Sequence, residues 1–113
     1  MKAGELMNQI EFLYFSGCPN SQPTLNNLKE ALKELHLSVK IKQINVETIE
    51  KAKEVNFLGS PSIYINGIDI YTLKKPTEVN YACRTFDIDN KKSGILPKNF
   101  IKERLKNFFK QEF

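Results

Sequence analysis

The sequence predicts a mixed α/β fold, a central sheet with helices on both faces in the order β-α-β-α-β-β-α. Three observations predict it. Residues 10–15 read I-E-F-L-Y-F, a short run rich in strand formers that is too apolar to face water on either side. Leu25, Leu28, Leu32 and Leu35 follow at intervals of three and four, which puts them on one face of a helix. Further along, Asn66-Gly67 separates two apolar runs, and both residues tolerate the positive φ of a two-residue hairpin turn.

Taken in order, the first strand spans Gln9 to Phe15 and is broken by Ser16-Gly17-Cys18-Pro19. The leucine-striped helix runs from about Asn20 to His36. Its exposed face repeats like charges one turn apart, Glu30 with Glu34 and Lys29 with Lys33, so the leucines must carry it. Leu37 to Val46 is a second strand whose alternation slips near Gln43. Thr48 to Asn56 forms a short helix with Ile49, Ala52 and Val55 on one face. Phe57 to Ser60 leads to Pro61, and strands at Ser62–Asn66 and Ile68–Tyr71 make the hairpin. Residues 72–96 are a long loop or an added strand, with strand character in Tyr81–Ile88. Pro97 opens a last helix to about Lys110, with Phe100, Ile101, Leu105, Phe108 and Phe109 on its apolar side. The first β-α-β pair is parallel, because a crossover helix joins it.

The chain has 113 residues, of which 41% are hydrophobic and 27% charged, so residues 1–113 are expected to form one domain with a modest core. The net charge of +4 is spread over lysines mixed with glutamates, which argues against a nucleic-acid surface. No run approaches the ~20 apolar residues of a membrane span, and Met1 to Glu11 lacks a signal-peptide core. A cytoplasmic, reducing location without membrane contact is therefore expected. Two cysteines, Cys18 and Cys83, are too few for a disulfide framework. No C-x-x-C or histidine cluster suggests zinc, so no cofactor or metal is expected.

Cys18 stands at the first strand-to-helix turn. Helix starts carry unpaired N–H groups and partial positive charge, which stabilise a thiolate. The thiolate is the nucleophile of disulfide exchange and a ligand for soft ions. Pro19 suits a helix opening, where its missing N–H costs little. Cys83 is the one candidate for a resolving thiol, provided 72–96 folds back over the turn. The adjacent Arg84 would lower its pKa.

Gly17-Cys18-Pro19-Asn20-Ser21 at this turn, followed by Ser60-Pro61 before a β–Asn-Gly–β hairpin, resembles the thioredoxin family, closest to small bacterial members with a G-C-P motif. The resemblance covers about Gln9 to Tyr71 plus the last helix. It implies a thioredoxin-like fold, Cys18 as nucleophile, and a cis-proline at Pro61 that faces it. It further implies that the backbone at Ser60 pairs with an extended partner chain. Ser21 departs from the dithiol pattern of the family. C-x-x-S resembles monothiol members, which form mixed disulfides with glutathione or a partner protein. Its hydroxyl could donate to the Cys18 thiolate.

Each of these residues also has a structural reading. Cys18 and Cys83 could be inert, partly buried cysteines. Ser21 could satisfy a helix-start N–H, and Pro61 could be a trans-proline at a strand start. His36 reads as a cap or surface residue, Tyr14 as core, and Lys74 and Lys75 as a solvated loop. Three functions remain: a thiol–disulfide oxidoreductase, monothiol or resolved by Cys83, whose partner is a protein disulfide or a glutathione-type thiol; a soft-metal or metalloid-binding thiol protein; or a non-catalytic thioredoxin-fold binding module.

Overall fold

A computed structural model describes residues 9–109. The elements are β1 (Ile10–Tyr14), α1 (Ser21–Glu34), β2 (Ile41–Asn45), α2 (Ile49–Val55), β3 (Ser62–Ile65), β4 (Ile68–Asp69), β5 (Phe86–Ile88), β6 (Lys91–Ser93) and α3 (Lys98–Phe108). The expected order gains one hairpin, β5–β6, inside the segment read as a loop or added strand. The expected helix end at Lys110 and the segment before Gln9 lie outside the described residues.

Four strands form the main sheet in the order β2-β1-β3-β4. β1 runs parallel to β2, with Ile10 opposite Ile41, and antiparallel to β3, with Ile10 opposite Ile65 and Phe12 opposite Ile63. Successive side chains of a strand point to opposite faces. Ile10, Phe12, Ile63 and Ile65 therefore share one face, where Leu25, Leu28 and Leu32 of α1 and Ile101 and Leu105 of α3 bury against them. Leu13 and Tyr64 turn to the other face and pack with Val46, Ala52 of α2 and Phe57. Helices thus cover both faces, and the chain is a mixed α/β structure of thioredoxin-like form.

Local chemistry explains the ends of these elements. α1 closes with Leu37 N–H on Leu32 O at 2.9 Å and His36 N–H on Lys33 O at 3.1 Å, with His36 left-handed at φ 56°. This double hook satisfies the last carbonyls of a helix, and it displaces the start of the second strand from Leu37 to Ile41. Thr48 caps α2 by accepting from Lys51 N–H at 3.0 Å. Asn66 (φ 53°) and Gly67 (φ 82°) make the turn between β3 and β4. Asp89 (φ 54°) and Asn90 (φ 64°) make an equivalent turn between β5 and β6. The unfavourable glutamates of α1 gain partners from α3: Glu34 lies 2.6 Å from Lys98 Nζ and 3.0 Å from Lys102 Nζ. No helix among the described residues is long and apolar enough to cross a membrane.

Candidate functional site

The site begins where β1 ends. Cys18 N–H bonds Phe15 O at 3.3 Å, closing a turn whose third residue, Gly17, has φ +92°. Such a turn asks for φ above zero at that position, which glycine adopts without steric cost. A second turn follows at once, from Cys18 O to Ser21 N–H at 3.3 Å, with the exposed Pro19 at its first corner. α1 starts only after both turns, with Asn20 as its N-cap. Cys18 therefore stands two residues short of the cap.

The helix-start argument placed the sulfur at the helix amides; its hydrogen bonds run across the site. The Cys18 Sγ contacts are Ser60 O at 3.6 Å and Cys83 Sγ at 3.6 Å. Ser21 also departs from expectation. Its hydroxyl donates to Cys18 O at 3.0 Å, which braces the turn and leaves the sulfur alone.

Opposite Cys18, β3 is entered through Gly59-Ser60-Pro61. The Ser60–Pro61 peptide bond is cis. Ser60 and Pro61 are buried. Ser60 N–H donates to Ala82 O at 2.9 Å, and Ser60 O accepts from Arg84 N–H at 2.9 Å. The two bonds make an isolated parallel bridge between Ser60 and Cys83. Residues 82–84 thus lie along the backbone edge that the resemblance reserved for a partner chain. On the upstream side, Asn80 N–H donates to Phe57 O at 2.7 Å. The Tyr81 ring meets Phe15 and Phe57 edge-on, at 5.6 and 6.1 Å. The result is a buried Cys18 sulfur touching an exposed Cys83.

A match to the thioredoxin domain family spans residues 8–79. The chain belongs to that family. Comparisons with curated proteins and with solved structures return no match. The thioredoxin domain match stops short of Tyr81, Cys83 and Arg84, which come from the following segment. At the family level the chain is a thioredoxin-like redox protein.

Of the residues singled out from sequence, Cys18, Ser60, Pro61 and Cys83 come together at one point, with Pro19 and Ser21 on the turn that carries Cys18. Tyr14 packs with Phe12 at 5.8 Å on the α1 side of the sheet. His36, Lys74 and Lys75 are exposed. The expectation for the Cys83 pKa reverses. The S–H bond to Cys18 pushes the Cys83 thiol up, with smaller contributions from burial and from charge on Cys18. Arg84 does not counter this, because its guanidinium points to Asp69 and Ser62.

Sequence reasoning missed Asp69, Ser62, Gly59 and Tyr81. A usable signal existed for Asp69, a single acid between Ile68 and Ile70 in a strand that turns out to be buried. Such an acid demands a cation. Among the described residues, no group of three or more His, Cys, Asp or Glu side chains is placed to hold a metal ion.

Proposed function

We propose that the chain is a thiol–disulfide oxidoreductase in which Cys18 and Cys83 form the redox couple, working in the cytoplasm with a protein disulfide or a glutathione-type partner. The 3.6 Å contact between the two sulfurs carries this reading. A disulfide has a sulfur separation of about 2.05 Å, so closing the bond asks for a local approach and no refolding. Ser21 has no sulfur to offer, so resolution by Cys83 takes the place of the second cysteine of a C-x-x-C motif.

In the oxidising direction the Cys18 thiolate attacks one sulfur of a partner disulfide, and the first partner thiolate leaves. Until this point the Cys83 S–H is hydrogen-bonded to Cys18 Sγ at 3.6 Å, a contact that favours the protonated thiol. Cys83 then passes that proton to the departed first partner thiolate and attacks Cys18 Sγ, which expels the second partner thiolate. One partner disulfide becomes two thiols, and the chain's two thiols become one disulfide.

The test is exposure of the reduced chain to oxidised glutathione, acid quenching and mass mapping. The expected product is an internal Cys18–Cys83 bond. Cys83→Ser should halt at a glutathione adduct on Cys18. A wild-type chain that ends with separate adducts on both cysteines, or with none, rejects the couple.

The same sulfur pair supports a second reading, capture of a soft ion by two thiolates in linear coordination. Thiol-dependent, one-to-one uptake by the wild type that disappears in Cys83→Ser would favour it over exchange. Full biological function in Cys18→Ser would favour the non-catalytic module over both.

A further inference from the structure

Arg84 follows Cys83 but sends its side chain away from the sulfurs. Its guanidinium meets Asp69 in a two-pronged pair, Nη1 to Oδ1 at 3.0 Å and Nη2 to Oδ2 at 2.7 Å. Nη1 also donates to Ser62 Oγ at 2.9 Å. The Asp69 side chain is 1% exposed and that of Arg84 10%. The guanidinium carbon also lies 5.0 Å from the Phe86 ring centre and 5.5 Å from that of Tyr71. A buried ion pair is a poor means of stabilising a fold. Its desolvation cost can exceed its attraction, and an apolar replacement is often as stable. What it does supply is fixed geometry, since a forked guanidinium on a carboxylate defines both distance and direction.

That geometry is delivered one residue from Cys83. The backbone N–H of Arg84 bonds Ser60 O, the same carbonyl that Cys18 Sγ faces. Gly59 shows that the fit is close from the other side. A Cβ at Gly59 would stand 3.0 Å from Ala82 O and 3.2 Å from Arg84 Cβ, and its φ of +114° already favours glycine.

We propose that the Arg84–Asp69 pair is a positioning device that holds residues 82–84 on Ser60, presents the Cys83 sulfur to Cys18, and so sets the dithiol–disulfide equilibrium. This rests on the reading of Cys18 and Cys83 as a redox couple. Arg84 and Asp69 touch neither sulfur through their side chains and are positioning residues. The balanced reaction is dithiol plus oxidised glutathione giving the internal disulfide plus two reduced glutathiones. Its equilibrium constant scales with the effective concentration of Cys83 at Cys18. A strand freed from its anchor spends less time on Ser60, and that concentration falls.

The experiment equilibrates the full chain with glutathione mixtures and reads the fraction of internal disulfide after acid quenching. Asp69→Asn should lower the equilibrium constant about tenfold, equivalent to a rise of about 30 mV in reduction potential. Arg84→Lys keeps the charge but loses the fork, and should fall between wild type and Asp69→Asn. It carries the same test if Asp69→Asn folds poorly. Urea midpoints of both redox forms are measured alongside. A pair that serves the fold alone weakens the oxidised and reduced chains equally, which leaves the equilibrium constant at its wild-type value. That result overturns the proposal. A wild-type chain that closes no internal disulfide at any glutathione ratio rejects the couple itself and the positioning role with it.

Discussion

Cys18 reaches the site from the end of a strand paired on both sides, whereas Cys83 reaches it from a stretch with one bridge to the sheet. The first sulfur is placed by the hydrophobic effect. β1 is pinned between β2 and β3, and apolar side chains bury on both of its faces. The second is placed by a few specific contacts: a bridge to Ser60, an aromatic edge at Tyr81 and a buried guanidinium at Arg84. The difference teaches that a rigid half and a strapped half can share one site, with the strap free to set how often the two halves meet.

The largest effect should come from damage to the rigid half. Ile63 is fully buried at the centre of the sheet. Ile63→Ala should cost about 2–5 kcal/mol, measured by urea unfolding, with both cysteines becoming reactive together. Tyr81→Ala should separate the halves. The loss of its ring contacts costs only about 1 kcal/mol, yet closure of the internal bond from a glutathione adduct on Cys18 should slow severalfold in quenched kinetics. Equal losses of stability in the two variants would erase the distinction between the halves.

A finer test uses pH. The Cys83 thiol is raised by its bond to Cys18. The stabilisation from that contact is therefore present while Cys83 is protonated, and it is lost as pH rises past the ordinary thiol range through the raised value. In Cys18→Ala the contact is gone, and the pH midpoint for alkylation of Cys83 should move down towards the ordinary value of about 8.5. An unmoved midpoint would mean that the sulfurs do not communicate.

The smallest effect belongs to Glu34. Hydrogen bonds from Lys98 and Lys102 hold its carboxyl below the usual range. Its stabilising contribution is present above that range and lost as pH falls through the lowered value. All three side chains are partly exposed, so Glu34→Gln should lower the melting temperature slightly at neutral pH, and added salt should remove the difference.

How much could be read beforehand follows the same division. Residues 10–71 were legible because burial writes itself into spacing, as in the leucines of α1, and because Asn66-Gly67 names its turn. The β5–β6 hairpin was not, although Asp89-Asn90 carries the same left-handed tolerance. Its first strand falls in the stretch 81–88 that already shows strand character, with Phe86 buried and Asp87 exposed, but β6 is three exposed residues, so nothing apolar marks the returning strand. Cys18 was legible from its turn, but the direction of its sulfur was not, since that depends on Ser60. Arg84 shows no such signal, because its neighbour in sequence, Cys83, is not its partner in space. An ion pair between Arg84 and Asp69 leaves no local trace, only a lone acid among isoleucines.

The sulfurs are separated by 65 positions along the chain, and most of the sheet lies between them. A covalent link there would turn an open polymer into a large ring. On the chain-entropy model a ring of that size penalises the denatured ensemble by about 4 kcal/mol. An oxidised molecule would accordingly outlast a reduced one under heat or protease, so electron transfer at a single point would also govern the lifetime of the whole chain.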